Sequence, residues 1–512
     1  MLSGTILGVN LWYHSMWFDE LRAWGLARSS SDLLDIISRL GLEGHPALWH
    51  FTLFGLTRLT DDPHWMQVLT FCIGFASFGL VWMKSPFHVL EKLLLCLSFQ
   101  YGYLFSVFSR PYGLGTLLIL LFVASLPRES RTAWRGWLLL GLLANLHFYF
   151  FLSAVVLAIA WIGLEKQSRL LTGSGIFLVG NLFSLFCLTR IYSRDHAWTS
   201  ILLTFALPLA IQMALWIAAG RIRLTLKEGV VGLSMASIVP LIFLWHTVGQ
   251  ANLGFFRILR SLKIWGTGFL PFRNPTAGNY WDIQQGLTLA LILTLVTFAV
   301  VSYCLKSFPE ALTLLSLQIL AMSAVFVLRH GGKLWHVGVV FVTFMALVWM
   351  GRRRPEGLIH SWAIVVFLVP QAIFGVCAMG SSKLTPVSAA KETSIWLETN
   401  TSPDQRVYAS ELFPTSVVSN YLGRDLYFPS RGEGLKYSPW DGGVIGSVPY
   451  HILNDMKRSQ IEEAFLVISF GAQKRTLAEF DEFNNELTLE EKARFTGMGL
   501  ESFLVYRLTM EP

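Results

Sequence analysis

Charge is what this sequence has least of. Asp, Glu, Lys and Arg make up 14% of its 512 residues, where soluble chains carry about 25%. Hydrophobic residues make up 53% and the mean hydropathy is +0.52, which excludes an ordinary soluble fold and indicates an integral membrane protein. Cysteine is scarce as well. All five (Cys72, Cys96, Cys187, Cys304 and Cys377) fall in apolar runs, so the polar tail has no disulfide framework and no cysteine-based metal site. No cleavable leader is visible: Met1–Trp17 lacks a basic n-region and a small-residue cleavage site, and is expected to stay as a short first span. Internal repeats and low-complexity segments are missing too. The net charge of +7 does not imply nucleic acid, because the basic residues lie mostly in short loops between spans, where they set topology.

What is present is a series of apolar runs near the ~18–20 residues that cross a bilayer as helix. They are expected at 64–83, 88–109, 112–126, 147–164, 171–190, 200–219, 229–248, 284–305, 309–328, 333–350 and 359–380. A shorter run at 134–146 and the opening segment bring the total to about thirteen. One set of loops, PRESRTAWR (127–135), EKQSR (165–169), GRIRLTLKE (220–228) and MGRRRPEG (350–357), is short and net basic, hence cytoplasmic. Residues 17–63, the Arg110 corner, 191–199, the loop 249–283, the corner 329–333 and the tail then lie outside, with the N-terminus inside.

The first outside loop predicts structure of its own. Ser30-Ser31-Asp32 can cap a helix whose Leu33, Leu34, Ile36, Ile37 and Leu40 share one face, the pattern of a helix lying flat in the interface. GHPALWHFTLFGLTRL (44–59) follows, with Pro46 placed to begin a second interfacial or re-entrant helix. After residues 1–384, which hold the membrane part, the composition changes. Residues 385–512 alternate helical pattern (AAKETSIWLETN, and 474–495) with strand pattern (RVYAS, DLYFPS, EEAFLVISF, ESFLVYRL). That predicts a small α/β domain behind an α-helical polytopic one.

Candidate chemistry begins at MWFDELRAW. Asp19 and Glu20 could merely start the helix DELRAWGLAR, since acids are favoured there by the helix dipole. They could instead supply a carboxylate base whose poorly hydrated aromatic surroundings tune its pKa. The company they keep favours chemistry. Glu43-Gly44-His45-Pro46, Ser109-Arg110-Pro111-Tyr112 and Arg329-His330-Gly331-Gly332 all fall on the same face by this topology. Taken singly, Arg110 could be a snorkelling arginine and His330 a satisfied interfacial histidine. Together they make one acid and several cations at one membrane face, and arginine has the bidentate geometry that phosphate prefers.

WFDELRAW, EGHPALW and FSRPYGLGTLLILLF resemble the amino-terminal module of the GT-C superfamily of polytopic glycosyltransferases, which includes protein O-mannosyltransferases and lipid A aminoarabinose transferases. The nearest pattern is a bacterial branch with DE…W, EGHP.LW, R.YAL and RH.G motifs. The likeness spans roughly 15–125, with an echo at 329–338. It implies a polyprenyl-phosphate sugar donor, a reaction at the extracytoplasmic face of a bacterial inner membrane, and a lipid, polysaccharide or protein acceptor. Carried over, Asp19 is the catalytic base and Glu20 its neighbour in the motif. The donor phosphate would be met by Arg110 and Arg329, then His330, His45 and Tyr112. Several relatives carry a second acidic motif where this chain has SRPYG. A bound divalent metal therefore lacks its usual support, and cation-only stabilisation is favoured. In the loop 249–283, Arg257, Arg260 and Lys263 among aromatic residues could form a lid or an ordinary interfacial anchor.

Two other classes compete. A transporter of lipid-linked sugars should carry ionisable residues near span centres, and the central spans here are poor in charge. A non-catalytic scaffold fits the short first span and the missing acidic motif. The topology itself is testable. A cysteine placed near Ser430 is expected to react with an impermeant reagent applied outside, and one at Arg353 is not; the reverse pattern would put every candidate site residue on the wrong face.

Overall fold

The computed structural model describes residues 2–40, 45–126, 129–165, 171, 173–189, 211, 255–271, 286–328, 332–353, 361–429, 431–435, 447–483, 485–498 and 501–511. The spans expected at 200–219 and 229–248 lie outside the described residues. Among the described residues, five helices are long and apolar enough to cross a membrane: His64–Lys84, Leu287–Cys304, Pro309–Val327, Leu334–Arg352 and Trp362–Leu384. A sixth arises if Phe99–Val107 and Pro111–Ser125, bent by 120° relative to each other, count as one. The chain is thus an integral membrane protein, mostly helical, with a mixed sheet at its C-terminal end.

Seven helices build the region around Asp19. They are α1 (Leu2–Tyr13), α2 (Phe18–Ser29), α3 (Leu33–Arg39), α4 (Leu48–Thr57), α5 (His64–Lys84), α6 (Val89–Leu97) and, past a break, α7 (Pro111–Ser125). The helix α3 starts as its sequence predicts: the Asp32 carboxylate accepts from the Leu34 and Asp35 amides at 2.8 and 2.9 Å. The C-terminal end of α2 is held by Arg58, whose guanidinium donates to the Arg28 and Ser30 carbonyls at 3.1 and 3.3 Å. A cation suits a helix C-terminus, where carbonyls lack intrahelical partners.

The run 88–109, expected as one span, is broken after α6. Ser98 turns its hydroxyl back to the Leu95 carbonyl at 2.7 Å, and residues Phe99–Leu104 then wind as a π-helix. The cause is a buried amide cluster. The Gln100 side chain donates to the Gly268 and Leu334 carbonyls, both at 3.1 Å, and its amide donates to Gln371 Oε1 at 3.3 Å. Gln371 in turn donates to the Gly268 and Phe269 carbonyls at 2.8 and 2.9 Å. In an apolar bundle each of these groups would be costly unpaired. Gly375 lets the helix Ser361–Leu384 approach this break, because a Cβ there would lie 2.1 Å from the Leu97 carbonyl oxygen.

The helix Leu334–Arg352 is the axis of the bundle, with 94% of its apolar window buried. At its far end Arg352 forms a bidentate pair with Glu91, at 2.6 and 2.7 Å, and Glu91 is fully buried. The same carboxylate accepts the His88 amide at 2.8 Å, which starts α6.

The C-terminal sheet has the order β3-β2-β1-β4-β6-β5, built from β1 (Val407–Ala409), β2 (Leu426–Phe428), β3 (Glu433–Leu435), β4 (Glu463–Ser469), β5 (Leu487–Phe495) and β6 (Phe503–Met510). β1 runs parallel to β2 and β4, and the other neighbours are antiparallel. One expectation is corrected: the charged helix ends at Asp481, and 487–495 is an edge strand paired along β6. Its apolar residues alternate, but a register shift between Glu491 and Ala493 and outward charges, common on edge strands, disguise the period.

Breaking the Arg352–Glu91 pair would leave a buried charge without its partner. Arg352→Ala is expected to lower stability by about 3–5 kcal/mol, read as the unfolding midpoint of the detergent-solubilised protein. Arg352→Lys should recover only part, since one ammonium cannot replace the fork.

Candidate functional site

The site is organised by the residue that does not face it. Glu20 is fully buried and accepts hydrogen bonds on both carboxylate oxygens. His14 Nε2 donates to both carboxylate oxygens at 3.1 and 2.9 Å. The Trp17 amide donates at 3.1 Å, closing the first turn of α2. The Ser109 amide, from the corner after the π-helix, donates at 2.5 Å. A carboxylate so surrounded is a structural joint between the α1–α2 turn and the SRPY corner.

Asp19 is one residue earlier and points elsewhere. It stands beside Arg110, whose Nη1 donates to the Asp19 backbone carbonyl at 2.6 Å and whose Nη2 lies 3.5 Å from Oδ2. The first bond fixes the guanidinium through the main chain, so the carboxylate itself is only loosely paired. Its side chain keeps 26% exposure against 12% for Arg110. Pro111 opens α7 directly after Arg110, a position where a missing N–H costs nothing. Asp19, Arg110 and Tyr112 line one narrow pocket with Trp17, Leu104, Phe108 and Trp335. The Trp17 and Trp335 rings meet edge-on at 5.9 Å. The accessible volume is about 10 Å³, room for about one water.

Behind Tyr112 lies a layer of imidazoles, of which the sequence singled out only His45. His147 is 5.4 Å from the Tyr112 ring, 4.4 Å from His45 and 5.8 Å from His336, centroid to centroid. Burial, then the neighbouring His147 and Arg110, hold His45 well below its ordinary pKa. His50, on α4, is pushed down to about 3 by burial and by the charges of Arg22 and Arg110. His45 and His50 are therefore neutral at physiological pH. Among the described residues no group of three His, Cys, Asp or Glu side chains is placed to hold a metal ion.

Of the residues expected at the site, the structure brings Asp19, Arg110 and Tyr112 into one pocket and places Glu20 behind it and His45 one ring further back. Arg329 and His330 lie outside the described residues; Trp335, six positions on, reaches the pocket. Arg257, Arg260 and Lys263 sit on the helix Phe255–Phe269, with the side chain of Arg257 outside what is described. That helix is packed, with Gly266 against Ala290 and Thr294 and Gly268 against Val337. Neither Arg260 nor Lys263 lines the pocket. His14, His147, His336 and Glu501 were missed. His147 follows the polar break ANL between two apolar runs, and His336 falls within the 329–338 echo; His14 and Glu501 carry no local signal.

The two adjacent carboxylates should respond differently to amidation. Glu20→Gln turns an NH2 toward donors in a closed site, and a loss of about 2–4 kcal/mol in stability is expected. Asp19→Asn keeps partial solvent access and should leave the midpoint nearly unchanged. Thermal unfolding of the two purified variants distinguishes them, and equal losses would refute the assignment of Glu20 as the joint.

Among solved structures the chain is similar to ArnT from Cupriavidus metallidurans. The crystal structure bound to undecaprenyl phosphate matches at 12% identity and a TM-score of 0.45, over 99% of this chain and 96% of that one. The apo crystal structure matches at 11% identity and a TM-score of 0.43, over 98% and 96%. No protein-family model and no curated protein matches the chain.

Proposed function

We propose that this chain is an inverting glycosyltransferase that moves a sugar from a polyprenyl-phosphate donor to an acceptor hydroxyl at the outer face of a bacterial cytoplasmic membrane. One observation carries the reading: a partly exposed carboxylate, Asp19, and a fixed guanidinium, Arg110, share a pocket at the corner where the bundle's apolar helices turn. The reaction needs those two groups. Asp19 takes the proton from the acceptor hydroxyl as its oxygen attacks the anomeric carbon. The bond from that carbon to the phosphate oxygen breaks, and the electron pair leaves with the lipid phosphate. Arg110 meets the charge that develops there, and a cation held in place before the reaction needs little reorganisation during it.

The remaining phosphate-facing groups in this proposal are Arg329, His330, His45 and Tyr112. An anion entering beside Tyr112 would favour protonation of His45, held neutral by its burial, and so recruit further positive charge. Because the pocket has room for about one water, the sugar enters only after the Trp17 and Trp335 rings separate. The acceptor is a lipid, polysaccharide or protein hydroxyl.

Donor identity is tested by incubating the purified protein with a panel of radiolabelled polyprenyl-phosphate sugars and following label transfer. With the active donor, Asp19→Asn is expected to lower turnover by ~10²–10⁴-fold with donor binding little changed. Arg110→Ala should weaken donor binding by roughly 2–5 kcal/mol and lower turnover as well, with partial recovery in Arg110→Lys. Full transfer by Asp19→Asn would reduce the acidic pair to a helix start. Absence of transfer from every donor by a folded wild type would favour the scaffold reading.

A further inference from the structure

The turn that presents Asp19 is held from the C-terminal side of the chain. Glu501, the residue two before β6, is 5% exposed, and its Oε1 accepts the Phe18 amide at 2.9 Å. Phe18 is the first residue of α2 and the neighbour of Asp19, so its N–H is one of those a helix start leaves without an internal partner. Tyr421 Oη accepts the Met16 amide at 2.8 Å. The Phe413 ring closes on Phe18 edge-on, with centroids 3.9 Å apart. Three side chains of the C-terminal unit therefore grip residues 16–18, and a fourth contact comes from the membrane side, where Gln67 donates to the His14 carbonyl at 2.8 Å.

The grip is built before it is used. The Glu501 carbonyl accepts the Ala389 amide at 2.9 Å, and the Ser502 hydroxyl bonds both the N–H and the carbonyl of Gly497 at 3.0 Å. Phe503 pairs with Ser469 at the carboxyl end of β4, and Phe413 follows β1. That end of the parallel strands is where α/β domains usually hold a ligand; here the ligand's place is taken by the chain's own α1–α2 turn. Burial and the nearby Asp19 and Glu20 carboxylates raise Glu501 to about 8, so at neutral pH it is mostly the uncharged acid and adds little repulsion against Asp19.

We propose that Glu501 is a positioning residue for Asp19: the C-terminal unit sets the place of the carboxylate in the pocket through the Phe18 amide, with Tyr421 securing Met16. This rests on the catalytic reading of Asp19 for its consequence, though not for the contact itself. A neutral amide keeps the acceptor oxygen, so Glu501→Gln should behave as wild type where Glu501→Ala does not.

The test uses full-length protein in nanodiscs and two readouts. In Glu501→Ala, amide hydrogen exchange of the peptide spanning 14–21 is expected to quicken about tenfold, as for one lost hydrogen bond. Turnover with the active donor should fall ~10–100-fold from misplacement of Asp19, with KM for the donor within about twofold. Glu501→Gln should restore both. Unchanged exchange in Glu501→Ala overturns the grip, and quickened exchange with full turnover overturns the positioning role. If Glu501→Ala does not fold, Tyr421→Phe gives the same pair of readouts at Met16, with the same outcomes for and against. If the wild type transfers no sugar, the catalytic reading fails while exchange still decides whether the grip exists.

Discussion

A carboxylate taken out of water must be surrounded by donors or give up its charge, and Glu20 is surrounded. Its four hydrogen bonds come from His14, from the Trp17 amide and from the Ser109 amide. They draw together the end of α1, the start of α2 and the corner before α7, which are otherwise separate stretches of the chain. The pocket exists because of this joint: Asp19 belongs to one of the stretches so fixed and Arg110 to another. Moving the Ser109 amide would move Arg110 with it, since the two are adjacent.

The segment between residues 88 and 110 is pinned at its other end by a second buried carboxylate. Glu91 accepts the His88 amide and both arms of Arg352. Along the helix Leu334–Arg352, Trp335 stands at the pocket and Arg352 at Glu91, about 26 Å apart at the rise of an α-helix. Between the two pins the backbone is irregular at Ser98 and the π-helix, and there the Gln100–Gln371 cluster supplies the missing partners. Irregular backbone at membrane depth is tolerated where protein groups satisfy it. Each departure from plain helix in this stretch thus has a polar side chain assigned to it.

Much of this was legible in the sequence, for physical reasons that are local. The Asp32 cap, the start of α2 at the acidic pair, the helices of the best apolar runs and most strands of the sheet depend on residues within a turn or two of each other. The break at Ser98 was not legible, because Gln100 alone does not interrupt a mostly apolar run and its partners, the Gln371 side chain and the Gly268 carbonyl, lie far along the chain. The strand 487–495 was misread because its charges obscure an alternation that a bulge interrupts. Glu501 carried no signal at all: its meaning lies in an amide 483 residues away.

The adjacency of Asp19 and Glu20 now has a physical account. Successive residues on a helix project about 100° apart, so two neighbouring acids at its start cannot face the same surroundings. One is committed inward, where Ser109, His14 and the turn amide consume its charge. The other is left at the edge, beside a guanidinium anchored by a main-chain carbonyl rather than by the acid itself. A lone acid would have to choose between the two places, since a carboxylate buried among donors is closed to solvent and one at the edge cannot hold a joint. The pair divides them: Glu20 is buried in the joint, and Asp19, one residue earlier, keeps 26% exposure beside Arg110.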